Sequence, residues 1–236
     1  MDYRRVDHQW LLWNPDHIAA VEPCLFDAGY WQQQNAGRAT PGGRGSSLFI
    51  DSGNRHWVLR HYRRGGLIGK WIRDRYLLAT LRRTRVWREM ALMMDMHRQG
   101  LPVPRVIGGR VTDHGLTYSA DLLTEQVLHS RDLVDRLQQR PLGDDEWQRI
   151  GATIARFHRA GIWHADLNAR NVLVDDDGAI YLIDFDRGER RPAARAWQKQ
   201  NLDRLARSFA KEAGKHPGPA VSDETWQQLL RGYRSL

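Results

Sequence analysis

Short apolar runs bounded by turn residues recur in the first half of the chain, which is a pattern of β-strands. Two such runs, Ser47–Asp51 and His56–Tyr62, are separated by the turn residues 52–54. Val106–Gly109 and Leu116–Leu123 have the same character. The first half is therefore predicted to contain a sheet.

Helical periodicity appears in three places. Leu67–Leu81 predicts an amphipathic helix with a basic face, and a second helix is expected from about Arg85 to Arg98, before Gly100. In the second half, Asp144 is the expected N-cap of a helix. The apolar residues of that helix recur at helical spacing: Trp147, Ile150, Ile154 and Phe157.

The order of these elements predicts an α+β chain with two lobes. A mixed β/α lobe is expected over residues 1–125 and a mainly helical lobe over residues 126–236. The length of 236 residues is sufficient to bury a core in such an arrangement.

The amino-acid composition narrows the cellular compartment and the binding partners to be expected. The single cysteine, Cys24, cannot form an internal disulfide, and no stretch approaches the roughly 20 apolar residues of a membrane-spanning helix. Met1–Gln9 lacks a signal-sequence pattern. We expect a cytosolic protein, or one attached to a membrane from the cytosolic side. The net charge of +8 favours polyanionic partners: nucleic acid, anionic lipid or phosphorylated glycolipid.

Candidate catalytic residues lie between His164 and Asp186. Asn171 stands five residues after Asp166, and Asp184 follows an apolar run thirteen residues later. The turn residues 175–178 let the flanking runs, 171–174 and 180–183, pair as antiparallel strands. That pairing predicts that Asp166, Asn171 and Asp184 lie close together.

Phosphoryl transfer requires this set of groups. One carboxylate, Asp166, would position an acceptor hydroxyl and take its proton, while Asn171 and Asp184 would hold Mg²⁺ against the phosphates of ATP. The spacing matches the protein-kinase catalytic pattern, except that Asp-Phe-Asp replaces Asp-Phe-Gly. The sequence therefore predicts a protein-kinase-like two-lobe fold.

The nucleotide-binding half departs further from that pattern. Gly43 and Gly45 belong to the nearest equivalent of a phosphate-covering glycine loop, although a flexible surface loop explains them equally well. Arg60 occupies the strand position where protein kinases carry a lysine, and Glu89 is its expected helix partner. Asp121–Glu125 would form the hinge that binds adenine, which makes Glu125 a candidate contact.

The basic segment Arg60–Arg85 has two interpretations. Its arginines alternate with Trp and Leu residues, which suits a helix lying in an anionic membrane interface. A helix packed on the lobe with a solvated basic face explains the pattern equally well.

Several stretches resemble the Kdo kinases, which phosphorylate 3-deoxy-D-manno-octulosonic acid (Kdo) in the inner core of lipopolysaccharide. The resemblance extends from about residue 40 to residue 210. It is carried by residues 59–67, 100–104, 121–125, 164–171, 182–188 and 201–208.

The resemblance implies ATP and Mg²⁺ as cofactors and the 4-hydroxyl of Kdo as acceptor. It also implies a Kdo-bearing lipid A precursor as partner and a peripheral position on the cytoplasmic side of the inner membrane, with no nucleic-acid partner. Alternatives of the same fold are a heptose kinase, an aminoglycoside phosphotransferase, a protein kinase or a nucleotide-binding pseudokinase. The alternative from another class is a basic nucleic-acid-binding protein, which would leave the acidic set unexplained.

Overall fold

A computed structural model describes residues 1–39, 47–62, 75–78, 80–215 and 221–235. The chain divides into two compact units. The first consists of Met1–Asp95 and Pro104–Gln126, and the second of Met96–Val103 and Val127–Leu236. The architecture is mixed α and β, with most of the strands in the first unit.

The first unit is built on an eight-stranded antiparallel sheet. Its strands are β1 (Asp2–Val6), β2 (Gln9–Trp13), β3 (Gly37–Ala39), β4 (Ser47–Ser52), β5 (Arg55–His61), β6 (Tyr76–Leu77), β7 (Val106–Asp113) and β8 (Thr117–Glu125). They are ordered β1-β2-β7-β8-β5-β4-β3, with β6 pairing additionally to β8. Two helices, α1 (Ala28–Gln33) and α2 (Arg85–Arg98), accompany the sheet.

Large apolar side chains from α1 and the sheet form the core of the first unit. Trp31 of α1 is buried, contacts the ring of Trp57 edge-on, and donates its indole N–H to the carbonyl of Leu25 at 2.9 Å. That hydrogen bond satisfies the one polar atom of the buried indole, as burial requires. Leu11, Ile50 and Leu123 complete the same cluster from three strands.

The strand predictions around residues 47–62 and 106–123 are confirmed, as is the helix over Arg85–Arg98. The helix predicted over Leu67–Leu81 is wrong in its described part: residues 63–74 and 79 lie outside the described residues, whereas Tyr76–Leu77 form β6. Strand pairing with β8 is favoured over the predicted helix because Tyr76 lies opposite Tyr118, with the centroids of their rings 5.4 Å apart.

The second unit combines four helices with two small sheets. The strands are β9 (Ser130–Asp132), β10 (Ile162–Trp163), β11 (Val172–Asp175), β12 (Ile180–Leu182) and β13 (Glu189–Arg190). Strands β9, β11 and β12 form one antiparallel sheet, and β10 pairs with β13. The helices are α3 (Leu133–Gln139), α4 (Asp144–Arg159), α5 (Arg195–Ala213) and α6 (Asp223–Arg234).

Helix α4 is the centre of the second unit. Its predicted apolar face is buried, and burial of each such side chain contributes about 1.5–3 kcal/mol. The N-cap is Gly143 rather than the predicted Asp144, because the Glu146 carboxylate reaches back to accept the Gly143 N–H at 2.9 Å. Against α6 the backbones nearly touch: a Cβ on Gly151 would lie 1.9 Å from the carbonyl oxygen of Leu229.

Candidate active site

The loop from His164 to Asn171, here called the catalytic loop, is positioned by the hairpin that follows it. Strands β11 and β12 pair in the register Val172↔Leu182, and Ile183 donates its N–H to the carbonyl of Asn171 at 3.1 Å. Because Asp184 is the next residue after Ile183, the hairpin carries it to the position beside Asn171. The local pairing predicted from the sequence is therefore present.

Asn171 is tied to Asp166 through the backbone. Its side-chain amide donates to the main-chain carbonyl of Asp166 at 2.9 Å. The amide nitrogen is used in this bond, so the amide oxygen is the atom that remains for a cation. Two of the three predicted residues are thus held in one hydrogen-bonded turn.

His164 supports the catalytic loop from inside. Its Nδ1 accepts the N–H of Asp166 at 3.1 Å, and its Nε2 donates to the carbonyl of Ile183 at 2.9 Å. Burial lowers the pKa of the imidazole, although the Ile183 carbonyl and the charges of Asp184 and Asp166 oppose this. A neutral ring protonated on Nε2 satisfies both bonds, so His164 joins the Asp166 and Asp184 segments.

Asp184 has a backbone conformation that non-glycine residues rarely adopt, with φ at 61°. The next residue, Phe185, is buried, stacks on Phe157 and lies with its ring centroid 4.7 Å from that of His164. This packing holds the turn in place and sustains the strain at Asp184. Backbone strain of this kind concentrates at functional sites.

One face of α5 holds the catalytic loop. Four polar residues spaced three or four apart lie on a single stripe of the helix: Asn201, Arg204, Ser208 and Glu212. Each bonds to a different part of the loop. These four residues are termed the α5 stripe.

Asn201 and Ser208 of the stripe bind loop backbone. The Asn201 side chain accepts the N–H of His164 at 3.2 Å and donates to the carbonyl of the same residue at 3.0 Å. Ser208 Oγ accepts the N–H of Ala169 at 2.9 Å. The two backbone attachments lie on either side of Asp166, so they fix the position of the residue between them.

Arg204 and Glu212 bind loop side chains. Arg204 directs Nε, at 2.8 Å, and Nη2 to the same oxygen, Oδ1, of Asp166. Glu212 accepts from Arg170 at 3.0 Å, and Arg170 also pairs with Asp132 at 3.2 Å. The carboxylate of Asp166 is thus oriented by a guanidinium, and the loop is anchored at its far end.

In the first unit, Arg60 and Glu89 form an ion pair with Nη2 and Oε1 2.5 Å apart. The Glu89 carboxylate is almost fully buried, and its second oxygen accepts the hydroxyl of Tyr62 at 2.5 Å. Such a buried charge requires both partners. Arg60 lies 4.8 Å from the centroid of the Tyr62 ring, so the three side chains fix one another.

The model of the lipopolysaccharide kinase (Kdo/WaaP) family matches residues 28–233 of this chain. This match confirms the resemblance to Kdo kinases. The chain belongs to this family. A protein named 3-deoxy-D-manno-octulosonic acid kinase from Photobacterium profundum is 42% identical over 96% of this chain and 95% of its own length. One of that name from Vibrio parahaemolyticus is 45% identical over 88% of this chain and 87% of its own length.

A third relative extends the agreement to almost the whole chain. The protein of the same name from Actinobacillus succinogenes is 39% identical over 98% of both chains. Membership in a kinase family identifies the enzyme class as a phosphotransferase, and ATP as the implied phosphate donor.

Residues of this family member fit a magnesium ion that is shared with a nucleotide. Within the described ranges, no group of three or more His, Cys, Asp or Glu side chains is arranged to hold a metal by itself. Mg²⁺ bound with ATP does not need such a cage, because it takes one or two protein oxygens together with phosphate oxygens and water. The Asn171 amide oxygen and the Asp184 carboxylate are donors of that kind.

Three further residues are predicted to contact the nucleotide: Gly43, Gly45 and Glu125. Gly43 and Gly45 lie outside the described residues. Glu125 ends β8, and its N–H already donates to the carbonyl of Arg105 at 2.8 Å. Any adenine contact at this residue would therefore use a group other than its N–H.

Sequence reasoning gave no role to Asn201, Arg204 or Ser208. The stretch 201–208 contributed to the resemblance to Kdo kinases, and its polar residues recur at helical spacing. That periodicity indicates a polar face on a helix, and it is the sequence feature that could have pointed to these residues. The loop residues that they contact lie 37 to 39 positions earlier in the chain, beyond the reach of local patterns.

Proposed function

We propose that this chain transfers the γ-phosphoryl group of ATP to the 4-hydroxyl of Kdo in the lipid A–Kdo inner core of lipopolysaccharide. The arrangement of Asp166, Asn171 and Asp184 around His164, in a member of this kinase family, carries the proposal. The names of the relatives supply the acceptor.

Asp166 is the proposed catalytic base. Arg204 occupies its Oδ1, and no described residue provides a hydrogen bond to Oδ2. The carboxylate is half exposed. An acceptor hydroxyl can therefore donate to Oδ2, which orients the attacking oxygen. Oδ2 takes the proton as that oxygen bonds to the γ-phosphorus and the bond from the γ-phosphorus to the β–γ bridging oxygen breaks, so that ADP leaves.

Asn171 and Asp184 would hold Mg²⁺ through their side-chain oxygens. When bound, the ion neutralises charge on the phosphate oxygens of ATP. The hydrogen bond from Asn171 to Asp166 then has a further consequence, because it fixes a metal ligand and the base relative to each other. This bond supports the proposed division of roles.

For the nucleotide side, we propose that Arg60 contacts the α- and β-phosphates of ATP while Glu89 and Tyr62 fix its guanidinium. A planar guanidinium binds phosphate through paired N–H groups. Gly43 and Gly45 would cover the phosphates, and Glu125 would contact adenine.

We also propose peripheral binding to the anionic cytoplasmic surface of the inner membrane, since a lipopolysaccharide kinase acts on a lipid-anchored acceptor. Across the described stretches, no helix is both long and apolar enough to span a bilayer. Two leucines in the first unit are unusually exposed: Leu77 at 78% and Leu116 at 85%. They are neighbours, because Leu78 donates its N–H to the carbonyl of Leu116 at 3.0 Å.

Aromatic and basic side chains near this end of the sheet suit a lipid headgroup region. The β1–β2 turn meets the β7–β8 turn, where Asp113 donates its N–H to the carbonyl of His8 at 2.8 Å. Close to it, Arg5 lies over the ring of Trp10 at 5.3 Å. Leucines would enter the interface while arginine binds anionic headgroups.

The membrane proposal predicts that the double variant Leu77→Asp, Leu116→Asp binds phosphatidylglycerol-containing vesicles at least about tenfold more weakly. Each leucine contributes about 1.5–3 kcal/mol when it leaves water. Vesicle co-sedimentation measures the effect. The control is Gln32→Asp, Gln33→Asp, which adds the same charge at exposed positions of α1. Equal vesicle binding by both double variants would contradict the assignment.

The phosphotransfer proposal predicts that wild-type protein with Mg·ATP adds one phosphate to the Kdo of a Kdo-bearing lipid A precursor. Asp166→Ala should lower kcat by about 10²–10⁴-fold, the usual contribution of a general base, with ATP affinity retained. Mass spectrometry of the lipid gives the product and its position. Asp177→Ala, which removes a carboxylate from the exposed hairpin turn, is the matched control and should keep wild-type turnover.

A heptosylated, Kdo-free acceptor assayed in parallel tests the alternative that the chain is a heptose kinase. Phosphate gained only on heptose would make the chain a heptose kinase. No gain on any lipid, despite ATP binding, would contradict the acceptor assignment. Near-normal turnover of Asp166→Ala would contradict the role of Asp166.

The metal proposal predicts that Asp184→Asn weakens Mg²⁺-dependent ATP binding by about tenfold or more, since a charged oxygen ligand is lost. Asn tolerates positive φ, so the turn should keep its conformation. Calorimetric titration with ATP in Mg²⁺ and in EDTA isolates the metal-dependent part. Asp176→Asn serves as the control. Unchanged Mg·ATP affinity in Asp184→Asn would exclude Asp184 as a ligand.

A further inference from the structure

Arg204 uses only part of its hydrogen-bonding capacity on Asp166. A guanidinium carries five N–H donors in one plane, and the bonds from Nε and Nη2 to Oδ1 account for two of them. The side chain is 48% exposed, and the described residues offer it no other acceptor. The remaining N–H donors, which include both of those on Nη1, are therefore available to a ligand.

Arg204 supplies the positive charge beside the Asp166 carboxylate. The catalytic loop carries no lysine near the base: Asn168 stands two residues after Asp166, and its amide bonds to the Asp166 carbonyl and to the Arg170 N–H. Arg170 itself is engaged by Glu212 and Asp132. Arg204 is thus the basic side chain that the described structure places at the Asp166 carboxylate.

We propose that Arg204 forms a subsite for the carboxylate of the acceptor sugar. This inference rests on the proposed function. One side of the guanidinium orients Asp166, and the other binds the sugar acid whose hydroxyl Asp166 activates. Arg204 would therefore be a specificity-determining residue as well as the residue that positions the base.

The chemistry of the acceptor suits this arrangement. Kdo is an acid whose C1 carboxylate is linked to the 4-hydroxyl through ring atoms C2, C3 and C4, so the two groups are separated by a short, stiff path. A hydroxyl on Asp166 Oδ2 and a carboxylate on the open edge of Arg204 give the ring two fixed points. Guanidinium binds carboxylate through parallel N–H bonds, which fixes orientation as well as affinity. A neutral heptose lacks this second point.

The experiment compares two acceptors that differ only in charge: a Kdo-bearing lipid A precursor and its C1 carboxamide. The wild type should favour the acid by about tenfold or more in kcat/KM, the effect expected of one charge-assisted contact. In Arg204→Gln the acid-to-amide ratio should fall to about one. Arg204→Lys should retain an intermediate preference, because it keeps the charge but loses the planar fork.

Lys199→Gln is the matched control. It removes the same charge from the same helix, but Lys199 is exposed and pairs with Asp203. Its acid-to-amide ratio should equal that of the wild type. Because Arg204→Gln also disturbs Asp166, its turnover should fall with both acceptors. The affinities of a soluble Kdo glycoside and its carboxamide, measured by calorimetry, therefore provide a second readout that needs no turnover.

These measurements distinguish a failure of the Arg204 subsite from a failure of the proposed function. If the wild type phosphorylates Kdo but Arg204→Gln keeps the wild-type ratio in both kinetics and binding, Arg204 only positions Asp166 and the subsite is refuted. A wild type without any preference for the acid refutes it as well. If the wild type phosphorylates neither acceptor, it is the proposed function that fails.

Discussion

The hydrogen bonds and ion pairs between α5 and the catalytic loop are the constraint on which the second unit depends. Asn201, Arg204, Ser208 and Glu212 bind the loop at four successive points, from His164 to Arg170. A loop of this length would otherwise sample many backbone states, at a cost of about 1–2 kcal/mol for each residue ordered on binding. The bonds to the helix offset that cost during folding, so the carboxylate of Asp166, the proposed base, is in place before a substrate binds.

Burial makes this arrangement specific. Asn201 is buried and satisfies both backbone groups of His164, and its oxygen also lies 3.3 Å from His158 Nε2. Burial lowers the pKa of His158 to about 4, opposed by its bond to Asn201, so this ring stays neutral at physiological pH. An unpaired polar group here would cost about 1–3 kcal/mol. The network therefore connects α4, α5 and the loop through buried hydrogen bonds.

Local features of the sequence predicted much of this structure. Short apolar runs bounded by turn residues predicted the strands within 47–62 and 106–123, and the turn at 175–178 predicted the hairpin that joins Asn171 to Asp184. The pairing of Arg60 with Glu89 was also foreseen. The predictions failed where distant residues determine the structure. Strand β6 forms by pairing with Thr117 and Tyr118, at the start of β8, where β5 does not pair, and the roles of the α5 stripe depend on residues far away in the sequence. Local periodicity cannot specify such contacts, since it records which face is polar and not what that face binds.

Hydrogen exchange of the catalytic loop tests the role of α5 most directly. Asn201→Ala should be compared with Gln200→Ala, an exposed neighbour on the same helix, by mass spectrometry of peptides covering 164–171. We expect exchange at least about tenfold faster in Asn201→Ala, because opening the loop no longer breaks the two bonds to His164. Phosphotransfer should fall in the same variant, while Gln200→Ala matches the wild type. Unchanged exchange in a folded Asn201→Ala protein would contradict the claim that α5 holds the loop.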